Sequence, residues 1–159
     1  MRKILIPTDF TVESLQLAEY AVLNYPDTKL DITFVAGHKM PSSRWEVTHF
    51  NKREQIQKYL TPEFKEAKRS IILQHANTIE NLTIELFTGT NSFAFQNFLE
   101  QMNAQDAIVP DVETLNCSNK KWFNTTKFIK KNIENVIEVP VEKSEPVQQN
   151  KFSFISLFN

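Results

Sequence analysis

Lys3-Ile4-Leu5-Ile6-Pro7-Thr8-Asp9-Phe10-Thr11 sets the architecture of this chain. An apolar run closed by proline reads as a short strand, and the polar residues after it supply helix caps. Leu15, Ala18, Ala21 and Val22 then share one helix face, which Asn24-Tyr25-Pro26-Asp27 stops. Leu30 to Ala36 follows as a second strand ending at Gly37-His38. Strand, helix, strand with a connection of this length is one crossover unit of a parallel sheet.

Further units continue the alternation. Pro41-Ser42-Ser43 is a turn into a polar stretch carrying Trp45, Phe50 and Tyr59, with no clear period. Thr61-Pro62 opens a helix, threonine as cap and proline at the first position, with Phe64, Ala67, Ile71 and His75 on one side. Leu82, Ile84 and Leu86 alternate with polar residues as a third strand. Gly89-Thr90-Asn91-Ser92 turns into a short helix marked by Phe93, Phe95, Phe98, Leu99 and Met102, and 106–110 is a fourth strand. A helix is expected over 120–135, with Trp122, Thr126, Ile129 and Ile133 on its face, and a fifth strand over 136–141. Strands one and four are the most evenly apolar, as strands covered on both faces should be. The expectation is one α/β domain over 1–142 with an open five-stranded parallel sheet flanked by helices. A linker and an aromatic tail occupy 143–159, in which 152–158 would form an edge strand or dock on a partner.

Composition narrows the function. The 159 residues carry 18 basic and 19 acidic side chains, a net charge of −1, so no overall field draws a nucleic acid or an anionic membrane. The single cysteine, Cys117, excludes an internal disulfide and the cysteine-rich zinc patterns. No run approaches the roughly 20 apolar residues that span a bilayer, and a cytoplasmic location is the expectation. There are 13 phenylalanines but only two glycines, Gly37 and Gly89. Phosphate-cradling loops need glycine so that backbone amides can approach the ligand.

The opening quoted above, with Ser14-Leu15 and Ala18-Glu19-Tyr20-Ala21 behind it and Ala104-Gln105-Asp106-Ala107-Ile108-Val109-Pro110 further on, resembles the universal stress protein family over most of 1–142. The resemblance implies a Rossmann-like sheet, of the adenine nucleotide alpha hydrolase-like kind, in the strand order 3-2-1-4-5, and pairing of two copies through the fifth strand. In the nucleotide-binding members the first-strand aspartate helps hold the nucleoside, a role that would fall to Asp9. The triphosphate is held after strand four by two glycines separated by two residues and, nine residues on, a third glycine followed by serine or threonine. Here the region reads Asp111-Val112-Glu113-Thr114-Leu115-Asn116-Cys117-Ser118-Asn119-Lys120-Lys121, without a glycine. Side chains would crowd the phosphate path, and Asp111 and Glu113 add negative charge near a polyanion.

The candidate ligand-binding residues are therefore Asp9, His38, Asp111, Ser118, Lys120 and Lys121. Asp9 sits at the carboxyl end of a central strand, where open sheets bind ligands, and is also placed to cap the following helix. Asp111 is expected at the matching end of strand four, and His38, read as a surface residue, past the end of strand two. Ser118, Lys120 and Lys121 would replace the lost anion site at the start of the last helix, or form a solvated basic face with Lys127, Lys130 and Lys131. His49 and His75 have no metal spacing, Cys117 reads as a loop residue, and no nucleophile elbow, Walker or HExxH motif occurs. The leading expectation is a non-catalytic protein of stress response or regulation without a cofactor, working as a homodimer through strand five and the tail, and through protein contacts. The alternatives are a sensor of ATP or another adenine nucleotide with Mg, and a weak metal-dependent phosphohydrolase using Asp9 and Asp111.

Overall fold

The computed structural model describes residues 1–142. The linker and tail expected over 143–159 lie outside the described residues. The strands are β1 (Arg2–Pro7), β2 (Leu30–His38), β3 (Ile79–Phe87), β4 (Asp106–Pro110), β5 (Trp122–Phe123) and β6 (Asn135–Val139). A 3-10 turn (Val12–Leu15) leads into α1 (Gln16–Asn24); the other helices are α2 (Arg44–Thr48), α3 (Lys52–Tyr59), α4 (Pro62–Gln74), α5 (Ser92–Met102) and α6 (Thr126–Asn132).

The sheet runs β3-β2-β1-β4-β6, parallel throughout, and β5 joins it by pairing antiparallel with the end of β2. The order is the expected one with one correction: the last strand is the sixth in the chain, because Trp122–Phe123 is a strand. The helix expected over 120–135 is correspondingly short. It begins only at Thr126, where the Asn124 side chain accepts from the Thr126 amide at 3.0 Å. Lys120 and Lys121 precede it in the loop.

Side-chain alternation along the strands divides the core in two. Ile4, Ile6, Ile32, Phe34 and Ile108 face one layer, where Leu17, Ala18 and Ala21 of α1 and Phe64 and Ile71 of α4 meet them. Leu5, Val35, Ala107 and Val109 face the other, against Phe95 and Phe98 of α5 and Ile129 of α6. Residues of β1 and β4 are thus buried from both sides, which is why their sequences are continuously apolar. On the second face Phe87, Phe95 and Phe98 pack ring against ring, with centroids 4.9 to 5.6 Å apart. Phe93, expected on the α5 face, points outward and is 72% exposed. The stretch without a period over 44–59 folds as α2 and α3, capped by the side chains of Ser43 and Asn51.

A third, smaller cluster lies at the carboxyl ends of the strands: Phe10, Ala36, Tyr59 and Leu86, with Phe50, Ile56, Cys117 and Trp122 against it. It lies beside the candidate site.

Candidate functional site

In an open sheet of this order the chain reverses its direction of travel between β1 and β4, and ligands bind in the crevice outside the carboxyl ends at that point. Here the crevice is bounded by the segment after β1, residues 8–11, and the loop after β4, residues 111–121. Thr8 and Asp9 are buried there, at 1% and 5% exposure.

Local hydrogen bonds fix the first segment. Thr8 Oγ1 accepts from the Phe10 amide at 3.0 Å and pairs with Ser14 Oγ at 2.9 Å. Asp9 Oδ1 accepts from the Thr11 amide at 3.0 Å and from the Thr11 hydroxyl. Thr11, not Asp9, caps the 3-10 turn, by accepting from the Ser14 amide. The second Asp9 oxygen accepts from the backbone amide of Asn116 at 2.9 Å. The carboxylate is thus shared between the two loops that border the crevice, and holds them together.

Trp122 closes the next position: its indole Nε1 donates to the Thr8 carbonyl at 3.1 Å, across the end of β1. Phe10, held at φ 64°, lays its ring on Tyr59 with centroids 4.5 Å apart and planes 2° apart. Tyr59 reaches His38, with its hydroxyl 2.6 Å from Nδ1. His38 is the last residue of β2 and is 2% exposed, so the expected surface histidine is a buried one. Phe50 stacks on its other side at 5.5 Å. Burial, with Lys121 nearby, pulls the His38 pKa below its ordinary 6.5. Burial likewise pushes Tyr59 up to about 12. Both shifts favour the neutral imidazole and the neutral phenol.

The remaining candidates are dispersed. Asp111 is exposed at the end of β4 and its amide donates to the Val139 carbonyl at 2.8 Å. Ser118, Lys120 and Lys121 are exposed loop residues rather than the opening of a helix. The Lys121 carbonyl accepts from the Lys39 amide at 2.8 Å, which holds this loop beside the end of β2. The envisaged basic face is broken at Lys130, which pairs with Glu138 at 2.7 Å. Tyr59, Asn116 and Trp122 complete the crevice, and sequence patterning did not single out Asn116 at all: a backbone donor leaves no residue-type signal.

A cleft of about 200 Å³ remains open beside the crevice, lined by Asp9, Thr11, Ser14, Thr114, Asn116 and Val141, among others. Among the described residues Thr114 Oγ1 is the buried side-chain polar atom without a hydrogen-bond partner. Among those residues no group of three or more His, Cys, Asp or Glu side chains is arranged to hold a metal ion. No helix of the described chain is long and apolar enough to cross a membrane.

A parallel α/β sheet with its crevice beside the first strand defines the Rossmann-like class. No protein-family model and no curated protein matches the sequence. Solved structures do match. A universal stress protein from Lactobacillus plantarum is similar at TM-score 0.53 and 14% identity, covering 89% of this chain and 97% of that one. A universal stress protein family protein from Arabidopsis thaliana with AMP bound is similar at TM-score 0.52 and 11% identity, covering 92% and 99%. A universal stress protein in complex with cAMP gives TM-score 0.50 and 14% identity over 89% and 98%. The chain has the fold of the universal stress proteins.

Proposed function

We propose that this chain is a divergent universal stress protein that acts without catalysis, in the cytoplasm, in stress response or regulation, through pairing with a second copy and contacts with protein partners, and that it does not take ATP. The observation that carries the reading is the state of the crevice: the Asp9 carboxylate is spent on Thr11 and Asn116, and Trp122 lies across the end of β1. A triphosphate does not fit the residues present. The loop after β4 has no glycine and exposes Asp111 and Glu113, while a ligand site of ordinary size is about 300 Å³ or more.

Pairing is assigned to β6, an edge of the sheet. Val136 and Ile137 of β6 are half-buried and its exposed Glu138 is paired with Lys130 at 2.7 Å, whereas the other edge, β3, carries Glu80, Asn81, Thr83 and Glu85. Charged residues on an edge discourage strand addition, and the one charge on β6, Glu138, is already paired within the chain.

A second reading, a sensor of a small ligand, is favoured by the orphan hydroxyl of Thr114 in the cleft beside Asp9, and by the AMP and cAMP held by the two neighbours named above. Calorimetric titration of ATP with magnesium, and of AMP, into the full chain separates the two. No heat up to millimolar ligand is expected for ATP. Micromolar binding that weakens on Asp9→Asn or Lys120→Ala would replace the first reading by the sensor.

A further inference from the structure

The outer side of α4 carries a stripe that the fold does not use. Phe64, Ala67 and Ile71 turn toward the sheet, and Ser70 and Gln74 lie on the flank beside the 3-10 turn and α1. Lys65, Lys68, Arg69, Ile72 and Leu73, at helical spacings of three, four, seven and eight, face away from both. With Leu60 they line a concave cleft of about 210 Å³. Lys65, Arg69 and Leu73 are exposed, Leu73 at 68%, while Lys68 and Ile72 are half-buried.

The cations of this stripe work against the domain that carries them. Lys65 is three residues from Lys68 and four from Arg69, the spacings at which like charges on a helix repel. Among the described residues the ion pairs are Arg2–Asp106 and Lys130–Glu138, so none of the three is neutralised. Glu63 and Glu66, the carboxylates of α4, fall outside the stripe. Burial pulls the Lys68 pKa below its ordinary 10.5, because the ammonium has lost water without gaining an anion.

Basic at one end and apolar at the other, the stripe matches a partner that is acidic and apolar in turn. Size selects its class. Sites for whole small molecules start at about 300 Å³, so this cleft receives side chains of a larger partner. A membrane surface offers no side chain to a concave cleft, and the net charge of −1 gives no field toward one.

We propose that the outward stripe of α4 docks an acidic, amphipathic segment of a protein partner. Apolar side chains of that segment enter between Leu60, Ile72 and Leu73, and its carboxylates meet Lys65, Lys68 and Arg69. The inference rests on the reading above, to which it adds the chemistry of one protein contact, and it uses neither β6 nor the crevice.

The test pans a phage library of random short peptides on the immobilised full chain. Enriched peptides are expected to combine Asp or Glu with Leu, Ile or Phe. The best of them, labelled with fluorescein, should lose affinity about tenfold as salt rises from about 0.05 to about 0.5 M. Lys65→Glu with Arg69→Glu should weaken it by about tenfold or more, whereas Lys127→Glu with Lys131→Glu, the same charge change on exposed positions of α6, should leave it within about twofold. Leu73→Gln keeps every charge and removes only an exposed side chain, and it should weaken binding several-fold. A selection that enriches nothing, peptides without an acidic bias, equal loss in the α4 and α6 variants, or full binding by Leu73→Gln would each overturn the proposal. Sedimentation with vesicles of phosphatidylcholine and phosphatidylserine is the other arm: vesicle binding lost in the α4 variant would overturn it in favour of a membrane surface. Such failures remove this face alone, because the reading above falls by a different measurement, ATP binding in the calorimeter.

Discussion

Phe10 is a bulky residue with a left-handed backbone, φ 64°, a conformation that costs it roughly 1–2 kcal/mol. Thr8 Oγ1 and Asp9 Oδ1 impose it by accepting from the amides on either side, of Phe10 and of Thr11. The turn is what aims the ring at Tyr59. Asp9 is accordingly a structural carboxylate in this chain. Asp9→Ala should destabilise by about 1–2 kcal/mol, since it removes the part-buried hydrogen bonds that join two loops, and Asp9→Asn should cost less because one oxygen remains. Urea midpoints of the two variants check the order. His38 provides a second prediction. Its folded pKa is lowered, so between that value and the unfolded 6.5 the unfolded chain binds more protons. The His38 contribution to stability is complete above pH 6.5 and is lost as pH falls toward the folded value. Urea midpoints at about pH 7.5 and about pH 5.5 should show the drop, and His38→Phe should flatten that part of it.

At the scale of elements, β5 is two residues that turn the loop after β4 into a cover. It pairs Gly37 with Phe123 and His38 with Trp122. A Cβ on Gly37 would stand 2.4 Å from the Phe123 ring and 2.6 Å from its carbonyl oxygen. Gly37→Ala should therefore push β5 off the sheet at a cost of about 1–3 kcal/mol. In a Trp45→Phe background, which removes the exposed indole, the Trp122 fluorescence should shift to the red; an unmoved spectrum would mean the strand yields without detaching. This element was not legible in advance, because two residues have no period, and the spacing of Trp122 to Thr126 and Ile129 imitates a helix face. β1 and β4 were legible for the opposite reason: both faces are covered, so almost every residue is apolar. In the site, Asp9 could be placed from its position at a strand end, but its partner Asn116 is 107 residues away and contributes only a backbone amide. His38 was misjudged for the same cause, since Tyr59, which buries it, lies in a segment whose polar composition hides α3.

For the molecule as a whole, the two edges differ. Glu80 and Glu85 guard β3, while β6 presents Val136 and Ile137, both half-buried, beside a Glu138 held by Lys130. If β6 pairs across a two-fold axis, Ile137→Lys should convert a dimer to a monomer in sedimentation, and because Ile137 also packs against the core it should cost the monomer about 0.5–3 kcal/mol of stability. A native chain that sediments as a monomer over the accessible concentration range would remove the dimer from the proposed function. The sheet order also has a consequence for synthesis. Ile4 and Leu5 are made about a hundred residues before Asp106 and Ala107 of β4, one of their two neighbouring strands. Until then β1 has one flank bare, and the face of Leu5 and Val35 waits for Phe95 and Phe98. Nascent chains stalled before β4 should consequently be held by chaperones and cut readily by protease, and protection should arrive in one step once β4 has cleared the exit tunnel.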